Sequence, residues 1–247
     1  MSTSRTVLII GASGGIGTAL CEKLHLEGVK LILGGRNESK LKPLAEQYGA
    51  CYLAGNAKDS KYLSELCELG LQRWGALNGS VNLAGSLLLK AAHSTTEEEF
   101  QETLEQNLLT AFNLVRTSVA HMKKKGGSIV LVSSVAARLG LANHEAIAAA
   151  KAGVEGLTLS AAATYASFKI RINAVAPGLV KTPLTEKLTS NEMMLKASTQ
   201  MHPLNRIGAP DHIASAIAWF LNPEQSWVTG QILGVDGGLG NLRSNRA

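Results

Sequence analysis

The sequence predicts a single α/β domain built on a doubly wound parallel sheet of about seven strands with helices on both faces. Three observations lead there. Short apolar runs of strand length alternate with longer segments of helical period along nearly the whole chain. The first of those runs passes directly into a glycine-rich loop that opens a helical segment. At 247 residues, 45% of them hydrophobic and 17% charged, the chain can fill one large core without dividing.

Taken in order, strands are expected at 6–10, 30–33, 50–54, 79–83, 128–132, 170–175 and 232–235. Helices are expected between them at 15–27, 39–48, 61–74, 97–124, 143–167 and 211–221. In the first helix Ile16, Leu20, Leu24 and Glu27 recur at helical spacing, which turns Leu20 and Leu24 toward the core. No internal repeat or low-complexity linker marks a boundary, so 1–247 is read as one domain. The stretch 177–210 breaks the alternation and is bracketed by Pro177 and Pro210. A long excursion inside a compact domain is usually functional, and this one is read as a lid over a substrate site. Leu184, Leu188, Met193, Met194 and Met201 would make its inner face apolar, although core packing explains such residues equally well.

Bulk properties narrow the partners. The 24 Lys and Arg exceed the 19 Asp and Glu only slightly and are scattered, apart from Lys123, Lys124 and Lys125, which read as a solvated helix end. Nothing there suits a nucleic-acid partner. No apolar stretch approaches the roughly 18 residues that cross a bilayer, and the first apolar run lacks the features of a signal peptide. A cytoplasmic protein with no membrane partner is expected. Cys21, Cys51 and Cys67 form neither a CxxC pair nor a cluster with histidines, so they are read as reduced packing residues and no metal site is expected.

The chemistry begins at Gly11, Ala12, Ser13, Gly14, Gly15, Ile16 and Gly17. Glycines there let the backbone turn tightly and approach a pyrophosphate, while the N–H groups and dipole at the helix start favour the anion. Strand, loop and helix together make this the phosphate-binding turn of a Rossmann fold, with Gly11, Ser13, Gly15, Ile16 and Gly17 at the cofactor. The second strand ends in Gly34, Gly35 and Arg36, with no acid to hold a ribose 2′-hydroxyl. Arg36 can offer a fork of donors to a 2′-phosphate, which favours NADP(H) over NAD(H). The competing reading of Arg36 is a surface arginine at an exposed turn.

These and further motifs resemble the short-chain dehydrogenase/reductase family. Gly11 to Gly17 follow its GxxxGxG pattern. Asn82, Leu83, Ala84 and Gly85 are similar to its NNAG segment with the second Asn replaced. Asn107 lies in the long fourth helix, Ser133 and Ser134 end the fifth strand, and Lys151 lies in the next long helix. Pro177, Gly178 and Thr182 form a PGxxxTP-like segment, and Asp236, Gly237 and Gly238 a VDGG-like ending. The likeness spans almost the whole chain and is strongest to the 3-oxoacyl carrier-protein reductase branch. It implies a small-molecule substrate, a homo-oligomer assembled through the long helices, and cofactor contacts at Asn56, Asn82, Ala84, Gly85, Lys151, Pro177, Gly178 and Thr182. It also implies catalytic roles for Asn107, Ser134 and Lys151, which in the family work with a tyrosine four residues before the lysine.

Ile147 stands in that place. Tyr and Lys four residues apart share one helix face, and the run from Ala148 to Gly153 leaves no gap that would shift the register. An aliphatic side chain cannot donate a proton, and losing a placed general acid slows a reaction by about 10²- to 10⁴-fold. Three readings follow. In the first, an oxidoreductase takes its proton from another residue. His144 is the prime candidate, because an imidazole titrates near neutrality and shares a face with Ile147 and Lys151 if the helix has begun; Glu145 would have to be kept protonated by burial. In the second, the chain is a catalytically silent NADP(H)-binding partner subunit or cofactor sensor. In the third, it reduces an activated double bond or a cation without needing a phenol.

Overall fold

A computed structural model describes residues 5–243 and shows one seven-stranded sheet with strand order β3-β2-β1-β4-β5-β6-β7. Every neighbouring pair is parallel. The strands are β1 (Thr6–Ile10), β2 (Lys30–Gly35), β3 (Cys51–Ala54), β4 (Gly79–Asn82), β5 (Gly127–Val132), β6 (Ile170–Pro177) and β7 (Ile232–Val235). All seven expected strands are present, with ends displaced by a residue or two. Both β2 and β6 run further than their apolar runs suggest, because Gly34, Gly35, Ala176 and Pro177 continue the ladder beside β3 and β7.

The helices are α1 (Gly15–Leu26), α2 (Glu38–Tyr48), α3 (Ser60–Trp74), α4 (Glu97–Leu104), α5 (Thr110–Met122), α6 (Glu145–Tyr165), α7 (Glu186–Thr189), α8 (Glu192–Met201) and α9 (Pro210–Leu221). Local chemistry sets several ends. Asn37 and Asp59 cap α2 and α3 with their side chains, and Gly49 and Gly75 close the same helices in the left-handed region. Thr96 and Glu99 form a reciprocal capping box at the start of α4.

Alternating strand residues divide the core between the two faces of the sheet. Val7 and Ile9 of β1 pack with Leu20 and Leu24 of α1, Leu41 and Leu44 of α2 and Ile217 of α9. Leu8 and Ile10 face the other way onto Leu63 and Leu66 of α3, Leu114 of α5 and Val154 of α6. Burial on both faces is why these strands read as continuous apolar runs rather than alternating ones. Cys21, Cys51 and Cys67 are free thiols buried in this packing, and burial pushes Cys21 and Cys67 up to about 12.

Two helices differ from expectation. The segment read as one helix over 97–124 is interrupted by a π-helical turn, Glu105–Leu109, and ends at Met122. Lys123, Lys124 and Lys125 follow as an exposed turn. The helix expected from 143 begins at Glu145, since Asn143 adopts a left-handed conformation (φ 62°) and His144 is the capping residue. The excursion after β6 holds a short 3₁₀ turn, α7 and α8, and returns through a bridge between Val180 and Gly208. Among the described residues no helix is long and apolar enough to cross a membrane, and no group of three His, Cys, Asp or Glu could hold a metal ion.

Candidate functional site

The strand order reverses between β1 and β4, so the loops leaving their carboxyl ends flank a crevice where ligands bind in folds of this topology. Gly11 (φ 79°) leaves β1, and a Cβ there would lie 2.8 Å from the Leu83 carbonyl carbon of the loop after β4. Only glycine lets the two loops come this close. A side chain at Gly17 would collide with the carbonyl oxygens of Gly11 and Ala12, which seats the first turn of α1 directly on the loop.

The start of α1 is built to face an anion. Gly14 at its N-cap offers no side-chain acceptor, and the first turn holds no acidic residue. The first-turn N–H groups and positive dipole end therefore have no side-chain acceptor and can receive an anion. Gly11, Gly14, Gly15, Ile16 and Gly17 line the mouth of a cavity of about 710 Å³. These residues fit the pyrophosphate of a dinucleotide.

The same cavity collects most of the expected site. Ala84, Gly85, Asn107, Ser134, His144, Ile147, Lys151, Pro177, Gly178 and Thr182 all line it. Ser13, Arg36, Asn56 and Asn82 do not. Asn82 is buried behind the wall, donating to Thr110 Oγ1 at 3.1 Å and accepting the Ala84 N–H at 3.2 Å, so it shapes the 83–85 loop through that loop's backbone. Asn56 is exposed past β3 and accepts the N–H of Lys58. Arg36 is exposed at the end of β2, beyond the cavity, where its charge helps hold the Glu102 carboxyl below the usual range after hydrogen bonds from Gln106 and Lys58.

Asn107 owes its position to the π turn. Its amide donates to the Thr103 carbonyl at 2.9 Å and to Ser86 Oγ at 3.0 Å, and its Oδ1 accepts the Ser86 N–H at 3.3 Å. A π turn redirects a side chain without ending the helix, which is why such turns recur at functional sites. Lys151 reaches the cavity from α6 and donates to the Val132 carbonyl at 2.9 Å. Burial brings its ammonium down from 10.5 to about 8. Asn107 Oδ1 and Lys151 Nζ both border Gly85, at 2.9 and 3.7 Å from where its Cβ would lie. Ser134 Oγ accepts the N–H of Ala136 at 3.2 Å, which leaves its hydroxyl hydrogen for another partner.

Ile147 is 3% exposed, lies one helical turn before Lys151, and contributes its surface to the cavity wall. None of the four tyrosines, at 48, 52, 62 and 165, is in that wall. His144 does line it, although it caps α6 rather than sharing the helix. Its Nδ1 stands 2.7 Å from the Ala142 carbonyl, an acceptor, so Nδ1 carries a hydrogen and Nε2 is the nitrogen able to take up or release a proton. Glu145 is exposed outside the cavity.

The far wall is apolar. Leu184, Leu188 and Met201 from the excursion and Leu87, Leu89 and Leu141 from the loops after β4 and β5 all line the cavity. Met193 and Met194, grouped with them from sequence, lie outside the lining and are 80% and 48% exposed, because α8 turns them outward. Sequence reading also missed contributors that carry no motif. Ser86 holds Asn107, and the fully enclosed His202 accepts the Leu179 N–H at 3.2 Å and donates to the Ser198 carbonyl, tying the segment after β6 to α8. Tyr62 donates to the Leu53 carbonyl and accepts the Gly35 N–H, both at 2.9 Å, and so stitches β2 to β3 just before Arg36. The only sequence signal for Tyr62 is indirect: glycines 34 and 55 leave room for its ring and hydroxyl.

A family model described as Enoyl-(Acyl carrier protein) reductase matches residues 11–240. The 3-oxoacyl-[acyl-carrier-protein] reductase FabG of Thermotoga maritima is 36% identical over 243 residues, covering 95% of this chain and 97% of that protein. Among solved structures, a short-chain type dehydrogenase/reductase from Mycobacterium ulcerans superposes with a TM-score of 0.93 at 25% identity, covering 99% of this chain and 93% of that one. ElxO with NADP bound superposes with a TM-score of 0.89 at 27% identity, covering 96% and 98%.

Proposed function

The chain belongs to the short-chain dehydrogenase/reductase family, and from that premise we propose that it is an NADP(H)-dependent oxidoreductase acting on a small apolar carbonyl or alcohol, or on an activated double bond, with His144 supplying the proton. One observation carries the reading. A single cavity joins the anion-facing start of α1 to Lys151, Asn107 and Ser134 on one side and to a leucine-rich wall on the other.

A nicotinamide cofactor held there supplies the hydride. The protein's part is binding, orientation and proton supply. Backbone N–H groups at Gly15, Ile16 and Gly17 take the pyrophosphate, and Ser13 stands in the same loop. Arg36 takes the 2′-phosphate, with Asn56 beside the adenine half and Asn82 acting through Ala84 and Gly85. Lys151 holds the ribose, and Pro177, Gly178 and Thr182 border the nicotinamide end. Ser134 orients the substrate oxygen with the hydroxyl hydrogen that Ala136 leaves it. Ile147 replaces the family's tyrosine and can neither donate nor accept. His144 Nε2, protonated, donates to the oxygen that gains charge, while Nδ1 stays tied to Ala142. The segment 177–210 is the lid, with Leu184, Leu188 and Met201 against the substrate. Phe100, Leu109 and Phe112 remain exposed along α4, the π turn and α5, and a second copy of the chain packs there.

The silent-subunit reading draws support from Ile147 alone. Keeping Asn107, Ser134 and Lys151 around one cavity weighs against it. With NADPH and an activated ketone or 3-oxoacyl thioester, His144→Ala is expected to lower the rate of NADPH oxidation by about 10²-fold. Undiminished turnover removes His144 from the mechanism. NADPH binding without turnover in the unsubstituted protein, across a broad substrate panel, would return the silent reading. For the cofactor, Arg36→Asp should weaken NADPH and strengthen NADH in a fluorescence titration. Equal affinities before and after the substitution would refute the phosphate contact.

A further inference from the structure

A second cavity, of about 430 Å³, backs onto the first, and the two share a wall formed by Gly178, Leu179 and His202. Leu204, Ile207 and Leu242 contribute apolar surface to the second cavity, its exposed basic side chains are Arg206 and His212, and the one acidic side chain in its lining, Asp236, is engaged in accepting the N–H groups of Gly238 and Gly240.

Those two side chains are in conflict. His212 is the third residue of α9, where a Glu or Gln ordinarily completes a capping box. Its Nδ1 accepts the N–H of Ala209 at 2.9 Å. A backbone N–H can only donate, so Nδ1 carries no hydrogen and the ring's hydrogen is on Nε2. Nε2 lies 3.4 Å from Arg206 Nη1, and a guanidinium has no acceptor. Two donors thus face each other on the cavity wall. Among the described residues Arg206 makes no ion pair that would explain its place.

We propose that this cavity binds a small apolar carboxylate, whose oxygens accept from Arg206 Nη1 and His212 Nε2 while its hydrocarbon part lies against Leu204, Ile207 and Leu242. A carboxylate is an acceptor with two oxygens, which relieves both donors at once through charge-assisted hydrogen bonds. The positive end of the α9 dipole adds to the attraction. A ligand seated there also bears on Leu179 and His202, the link between the segment after β6 and α8. The site is separate from the reaction cavity and its occupancy requires no turnover.

Octanoate is the probe and octanol the control, each titrated calorimetrically into the intact chain. Octanoate should bind, with octanol at least about tenfold weaker, since hydrogen bonds to a charged group carry most of the recognition. Arg206→Met should weaken octanoate by a similar factor. His212→Glu places an internal carboxylate against Arg206 and restores the usual capping residue, so it should abolish octanoate binding while keeping or raising the melting temperature. That variant keeps the test decisive if Arg206→Met folds poorly. Octanoate affinity unchanged by His212→Glu would show binding elsewhere, the reaction cavity included, and would overturn the proposal. So would octanol binding as tightly as octanoate, or no binding of octanoate at all.

Discussion

Lys151→Met is expected to make the protein more stable and much less active. The Lys151 side chain is buried in α6 with the Val132 carbonyl as its hydrogen-bond partner, and no carboxylate among the described residues pairs with it. Burial disfavours the ammonium, which is why its pKa falls from 10.5 to about 8. At pH 7, below both values, the ammonium is carried in the folded and unfolded chains alike, and the folded state bears the desolvation. Methionine matches the stem without the charge, so its melting free energy at pH 7 should exceed the parent's by on the order of 1–3 kcal/mol. Between pH 8 and 10.5 the unfolded parent binds more protons than the folded one, so parental stability rises through that window and the gap narrows. Activity moves the other way. Loss of a fixed cation at the proposed reaction site should reduce NADPH-dependent turnover by about 10²-fold or more. In the parent, turnover should fall as pH rises through about 8, where the ammonium is lost. Thermal melts at pH 7 and 9, paired with initial rates, check both halves. A variant that is less stable than the parent at pH 7 would mean the buried ammonium has compensation beyond Val132.

Ile147→Tyr should accelerate carbonyl reduction by about 10²- to 10⁴-fold, the usual contribution of a placed general acid. The phenol would stand one turn before Lys151, and the neighbouring ammonium lowers the pKa of such a group and readies its proton. Ile147 already faces the 710 Å³ cavity, so the larger ring has space to enter without forcing the core apart. Initial rates with a 3-oxoacyl thioester, set beside NADPH titrations, separate chemistry from binding. If affinity for NADPH holds and the rate stays at the parental value, the substrate carbonyl does not come within reach of position 147 and the placing of the reaction beside Lys151 is wrong. If the rate rises and His144→Ala then has no further effect, the phenol has taken over the histidine's role.

Much of the framework was legible because it rests on local rules. Alternation of apolar runs predicted all seven strands, since a parallel strand covered on both faces needs no polar positions. The Gly11 to Gly17 loop pointed to a phosphate site because strand, glycines and helix start are consecutive in the chain, and its glycines line the 710 Å³ cavity. The four-residue step from Ile147 to Lys151 placed both on one face of α6, as helix geometry requires. Misreadings fell where side chains from distant segments decide the outcome. The helix over 97–124 shows no break in its period, yet the contacts of Asn107 with Ser86 and Thr103 accompany a π turn there. Met193 and Met201 are the same residue type on one helix, but the way α8 is seated leaves Met193 80% exposed while Met201, 47% exposed, also lines the cavity.

By itself the sequence determined the architecture, through periodicity, and the absence of a tyrosine four residues before Lys151, through short-range spacing, while its motifs carried the resemblance to the family. Tertiary structure alone decided that His144 opens onto the same cavity as Lys151, that Tyr62 braces the strand end before Arg36, and that Arg206 and His212 meet on the wall of a second cavity. Those relations depend on how separate elements pack, on which carbonyl a nitrogen meets and on which wall a side chain joins. No one-dimensional pattern carries that information, since the residues involved come together only when the sheet and its covering helices have closed.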